Sequence, residues 1–116
     1  LKVVGIIGGE KSPGKLKAIY ASKQTVESGE YFPLSRPLFI YVSDKSMTRP
    51  EVKEFVDFYL KNAEKIVPDV KYIALPKKAY DQALEHVKKN KLGTVFKGEA
   101  QVGLKVEDLL KKEAAL

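Results

Sequence analysis

The apolar positions of the chain fall into two kinds of pattern. Val52, Phe55, Val56, Tyr59, Leu60, Ala63 and Ile66 recur at three- and four-residue spacing. That spacing predicts a long amphipathic helix with one buried face. Thr48 and Glu51 have the spacing of a capping box, Pro50 suits the first turn, and Pro68 ends the run. Ala79, Tyr80, Ala83, Leu84 and Val87 form a second helical stripe, which opens near Pro76 and closes over residues 90–93. Two shorter helices are predicted: one from Ser22 to the Ser28-Gly29 turn, and one from Val106 to about Glu113.

The other pattern is the short continuous apolar run. Leu1–Ile7, Leu38–Val42 and Lys71–Leu75 are rich in β-branched and aromatic residues, as core strands are. Pro37 lacks a backbone donor, so the middle strand starts after it. Residues 92–96 are a further candidate for extended structure. Strands separated by helices predict an α/β fold, a mixed sheet flanked by helices. The expected internal boundary is the crossing at residues 30–37, between a segment 1–29 and a segment 38–116.

Composition narrows the classes. The 116 residues are 44% hydrophobic and 31% charged, values of a folded domain rather than a disordered one. No apolar run approaches the roughly 20 residues of a membrane span, and no signal peptide opens the chain. The absence of Cys excludes disulfides and thiolate chemistry. A single His, His86, excludes a histidine pair for metal binding or proton relay. The net charge of +6 is spread along the chain rather than gathered into a patch with stacking aromatics, which argues against nucleic acid.

Two segments carry candidate chemistry. Gly9-Glu10-Lys11-Ser12-Pro13-Gly14-Lys15 matches G-x-x-x-x-G-K after a predicted strand. A phosphate-cradling loop of that type needs successive backbone donors and a following Ser/Thr for Mg²⁺. Pro13 deletes a donor and Leu16 replaces the hydroxyl, so an ordinary surface loop fits better. Ser35 and Arg36 pair a hydroxyl with a guanidinium, a combination suited to an oxyanion. They fit better a hinge, with Arg36 on a carboxylate and Ser35 on the backbone. Glu107 and Asp108 fall in the first turn of a predicted helix, where they complement its dipole. Tyr31, Tyr41, Tyr59, Tyr72 and Tyr80 read as core or interface aromatics. No Ser/His/Asp set and no metal cluster emerges, so no enzyme activity and no cofactor are expected.

Tyr31-Phe32-Pro33-Leu34-Ser35-Arg36-Pro37-Leu38-Phe39-Ile40-Tyr41-Val42 closely resembles a segment of phosphate-binding proteins, the extracytoplasmic receptors of phosphate ABC transporters. Thr25–Tyr31, Arg49–Glu64, Tyr72–Pro76 and Gly93–Phe96 with Val102–Leu110 resemble further pieces of that family in order. The resemblance implies the C-terminal portion of a type II periplasmic-binding-protein fold. Residues 1–29 then end the second lobe, 30–37 form a hinge crossing, and 38–116 return to the first lobe. It implies inorganic phosphate as ligand of the complete receptor, and an ABC permease and the N-terminal portion of the same protein as partners. The main phosphate ligands then lie upstream, which leaves Ser35 and Arg36 as hinge residues rather than ligands. Residue Leu1 in place of an initiator Met fits a fragment or processed product. Two other readings stay open: a stand-alone α/β interaction module, and an anion- or nucleotide-binding domain using Gly8–Lys15.

Overall fold

A computed structural model describes residues 1–10, 12–94, 96, 98 and 102–115. Its helices, in chain order, are α1 (Lys23–Glu27), α2 (Pro50–Asp69), α3 (Lys77–Lys88) and α4 (Val106–Ala114), with a 3₁₀ turn at Ser46–Thr48. The four helices are those that the apolar spacing predicts. The mixed sheet is not there. Among the described residues, the β structure amounts to one antiparallel bridge, Ile6 with Ile19, closed by two hydrogen bonds of 2.8 Å. The α/β expectation is therefore corrected to a nearly all-helical chain.

The physical reason lies in what each element needs. A helix pairs its own backbone; a strand pairs only with a neighbour. The apolar runs 1–7, 38–42 and 71–75 have the side chains of strands. Apart from Ile6, they gain no ladder partner among the described residues. Their side chains stay largely in solvent: Val3, Val4, Leu38, Tyr41 and Tyr72 are all exposed. Tyr41 and Tyr72 are thus not core residues, whereas Tyr31, Tyr59 and Tyr80 are half-buried. The expected extended run at 92–96 falls partly outside the described residues.

The chain divides into two compact units. One unit comprises Leu1–Leu38 with Phe96–Lys112, and Phe96 and Leu109 are its buried apolar side chains. Ser22 caps α1 in a reciprocal box: its hydroxyl accepts from the Thr25 N–H, and the Thr25 hydroxyl accepts from the Ser22 N–H. Gly29 follows α1 at φ +75°. A Cβ there would lie 2.7 Å from the Gly103 carbonyl oxygen. Gly103 itself, at φ +63°, would place a Cβ 2.5 Å from the Phe32 ring. Both positions combine left-handed backbone with close approach, which only glycine tolerates.

The other unit comprises Phe39–Val95 with Glu113–Leu116, and α2 organises it. Val56, Leu60 and Ala63 are buried on the α2 face that meets α3 and the 3₁₀ turn. The predicted seven-residue stripe is wider than this partner covers. Val52 and Tyr59 are half-buried, while Phe55 and Ile66 are exposed, Phe55 at 62%. The expected capping box is also corrected. Arg49, not Thr48, is the N-cap residue, and it makes no side-chain cap. Thr48 donates instead to the Lys45 carbonyl at 2.8 Å. Glu51 accepts from the Arg49 guanidinium at 2.6 and 2.9 Å. Its own backbone N–H and Arg49 hold the Glu51 carboxyl below its ordinary pKa. Pro50 occupies the first helical position, and Pro68 sits in the final turn, one residue before the end.

Leu60→Ala is expected to destabilise by roughly 2–5 kcal/mol through lost burial and a residual cavity. Phe55→Ala should stay within about 0.5 kcal/mol, as exposed substitutions do. Urea unfolding of the two variants checks the assignment of the buried face.

Burial raises the Tyr80 pKa, against the opposing hydrogen bond that its oxygen accepts from the Leu75 N–H. The folded state thus favours the protonated phenol. This contribution to stability is complete below the ordinary tyrosine value of about 10 and is lost as pH rises through the folded pKa. Spectrophotometric titration should show that late ionisation, and Tyr80→Phe should remove it.

Candidate functional site

Ser35 and Arg36 follow a turn at residues 32–34 in which the Phe32–Pro33 peptide is cis. The Ser35 N–H donates to the Tyr31 carbonyl at 3.0 Å, and the Ser35 carbonyl accepts from the Gly103 N–H at 3.1 Å. This tie fixes the segment against the turn at 102–103 and draws the Ser35 side chain inward. Ser35 is buried, and its hydroxyl has no hydrogen-bond partner among the described residues. Arg36, next in sequence, is exposed and makes no ion pair among the described residues. The two groups that the sequence sets side by side therefore do not converge on one point. Among the described residues Arg36 has no carboxylate partner, and it shares no oxyanion cradle with Ser35.

The Gly9–Lys15 loop is closed on itself. The Ser12 N–H donates to the Gly9 carbonyl, the Lys15 N–H to the Ser12 carbonyl and the Lys17 N–H to the Gly14 carbonyl. Ser12 is buried, and its hydroxyl donates to the carbonyls of Gly9 and Lys15 at 2.8 and 3.1 Å. The Ser12 and Lys15 amides are thus occupied, those of Gly9, Glu10 and Gly14 have no partner among the described residues, and residues 13–16 form a turn rather than the opening of a helix. A phosphate cradle needs free amides pointing at the anion from a helix start. Lys11, inside this loop, lies outside the described residues.

The remaining candidates are structural. His86 is half-buried on α3, with Nδ1 3.7 Å from a Glu113 carboxylate oxygen. Glu107 and Asp108 occupy the first turn of α4, as the sequence implies. A 260 Å³ depression between α2 and α3 is bordered by Leu60, Glu64, Tyr80 and Leu84 and by two lysines, Lys61 and Lys77. Both lysines are already paired, with Asp57 at 2.6 Å and Asp81 at 2.7 Å. The Asp81 pairing raises the Lys77 pKa. No group of three or more His, Cys, Asp or Glu side chains suited to a metal ion occurs among the described residues. No helix of the described residues is long and apolar enough to cross a membrane.

Comparison with known proteins supplies what the geometry does not. The chain is 45% identical over 116 residues to Protein SphX of Synechocystis sp., covering 99% of this chain and 33% of SphX. It is 45% identical over 114 residues to Protein SphX of Synechococcus elongatus, covering 90% of this chain and 34% of that protein. It is 42% identical over 73 residues to the phosphate-binding protein PstS of Staphylococcus epidermidis, covering 62% of this chain and 22% of PstS. The chain thus spans about a third of the length of the SphX relatives. No family model matches it, and no solved structure does. The resemblance read from residues 31–42 and the pieces around them holds, and the likeness is consistent with part of a phosphate-binding protein.

The unpartnered Ser35 hydroxyl makes a testable case. Its removal deletes a buried polar group that has no protein partner, so Ser35→Ala should be neutral or should stabilise by up to about 1 kcal/mol. Thermal unfolding of the variant measures this, and a loss of stability would reveal a partner for the hydroxyl.

Proposed function

From the chain's kinship with SphX and with the phosphate-binding protein PstS, we propose that it is a portion of an extracytoplasmic phosphate receptor. The complete receptor binds inorganic phosphate and delivers it to an ABC permease. This portion is the C-terminal one. It supplies lobe scaffold and the hinge crossing at residues 30–37, while the principal phosphate ligands stand on the part of the receptor outside these 116 residues. The observation that carries the reading is the 42% identity to a protein named for phosphate binding, over 73 residues. The burial of Ser35 beside an exposed Arg36 supports a scaffold role for that pair, since the two do not present converging donors to an anion.

A tetrahedral oxyanion held without bulk charge needs several donors aimed at one point, commonly from helix N-termini and hydroxyls. Receptors with two lobes close around such a ligand by rotation at the crossings. In that scheme Arg36 acts on the closure, not on the anion. The basic balance of the chain contributes at most a long-range attraction for phosphate.

Calorimetry with phosphate at pH 7 tests the assignment. The 116-residue chain alone should give no binding in the micromolar range, whereas a longer receptor containing it should bind. In that longer receptor Arg36→Ala should change the closure kinetics and leave direct ligand contacts intact. Micromolar binding by the isolated chain, or a structure with the Arg36 guanidinium on bound phosphate, would overturn the division of labour.

A further inference from the structure

Helix α2 buries Val56, Leu60 and Ala63 along one side and leaves a second apolar stripe in solvent. Phe55, Asn62 and Ile66 follow one another at seven- and four-residue spacing, so they share one line along the helix, with Phe58 beside it. Phe55, Phe58 and Ile66 are 62%, 58% and 43% exposed. Large apolar side chains set together on one helix form a patch, the kind of surface that marks an interaction site, unlike singly scattered exposure. The polar member of the stripe is already satisfied in part: the Asn62 side-chain amide donates to the Phe58 carbonyl at 2.8 Å. The stacked Phe55 and Tyr59 rings, with centroids 6.3 Å apart, border the stripe.

The charges beside the stripe identify what fits it. Glu54 and Lys65 are exposed and form no ion pair among the described residues. Other charges of the helix are paired, Asp57 with Lys61 and Arg49 with Glu51, each at 2.6 Å. Glu54 and Lys65 stand close to three full turns apart, so they lie on the same flank of the stripe, about 16 Å from each other along the axis. In an antiparallel pair of identical helices, each flank meets the same flank of its partner. Glu54 then meets Lys65 of a second copy, at both ends of the contact. In the same register Phe55 meets Ile66, and Phe58 meets Asn62. All three pairs are centred on residue 60 to within about half a residue, so a single two-fold axis serves them all. A parallel pair would set Glu54 on Glu54 and Lys65 on Lys65, which is repulsive. Farther out Glu51 meets Asp69, and the Arg49 guanidinium bonded to Glu51 supplies the balancing charge.

We propose that two copies of this chain associate through α2, antiparallel about a two-fold axis near residue 60. Phe55, Phe58 and Ile66 form the apolar centre of the contact, and reciprocal Glu54–Lys65 ion pairs form its flank. The inference goes beyond the receptor reading and does not depend on it, since it uses only the surface of α2. The apolar side chains supply the affinity, and the charges fix partner and direction. One helix against one helix is a small interface, so the dissociation constant belongs on the order of 10–100 µM.

Sedimentation velocity of the 116-residue chain between about 5 and about 500 µM tests it. The chain should pass from monomer to dimer across that range. Phe58→Ala and Lys65→Glu should each raise the dissociation constant by at least about tenfold, the second because Glu54 then faces a like charge. Adding Glu54→Lys to Lys65→Glu swaps the ion pair and should restore association to within about threefold of the parent. Lys53→Glu makes the same change of net charge outside the stripe and should alter the constant by less than about twofold. Glu54, Phe58, Lys65 and Lys53 are all exposed, so these substitutions spare the folded helix. A chain that stays monomeric at the highest concentration would overturn the proposal and leave this face of α2 to a different covering. Association that Lys65→Glu leaves unchanged, or that the charge swap fails to restore, would overturn it as well. So would assembly beyond the dimer, because a two-fold contact closes on itself.

Discussion

Backbone pairing is the constraint on which the rest of this structure depends. Every buried peptide group needs a partner, and only a helix carries all of its partners within one continuous segment. In this chain the segments able to satisfy themselves have done so: α1, α2, α3 and α4 account for nearly all of the regular structure. The segments that need a neighbour have found one only at Ile6 and Ile19 among the described residues. The small set of buried apolar side chains follows from this. Val56, Leu60 and Ala63 are buried on a helix, and Leu109 on another, while the strand-like runs leave most of their side chains in water.

The same constraint shapes the candidate chemistry. Ser35 is drawn inward because its N–H and C=O are taken up by Tyr31 and Gly103, and the hydroxyl is buried as a consequence. Gly103 can make that contact because its left-handed backbone and missing side chain admit the Phe32 ring. The 9–15 loop is folded by the Ser12 and Lys15 amides and by the Ser12 hydroxyl, all bonded to carbonyls of the same loop. In both places backbone hydrogen bonds formed nearby set the position of the serine side chain.

The helices were legible in the sequence because their signals are local. Ser22 with Thr25 caps α1, Pro50 starts α2, Pro76 precedes α3, and three- to four-residue spacing marks the apolar faces. The relationship was legible for a similar reason: the wording of residues 31–42 is contiguous, and the chain is 45% identical to its SphX relatives. What the sequence could not disclose was how much of each apolar stripe finds a partner. Phe55 and Val56 are neighbours on one helix and both apolar, yet only Val56 is buried. Arg49 displaced Thr48 as the N-cap because the preceding residues wound into a 3₁₀ turn that took the Thr48 hydroxyl. By itself, then, the sequence determined which stretches are helical, which side chains could be buried, and what kind of protein the chain is related to. Tertiary structure alone decided which apolar faces are covered, whether β-forming runs become strands, and whether adjacent side chains such as Ser35 and Arg36 converge. Those outcomes depend on groups far away in sequence, and a strand or a binding site has no existence until such groups arrive.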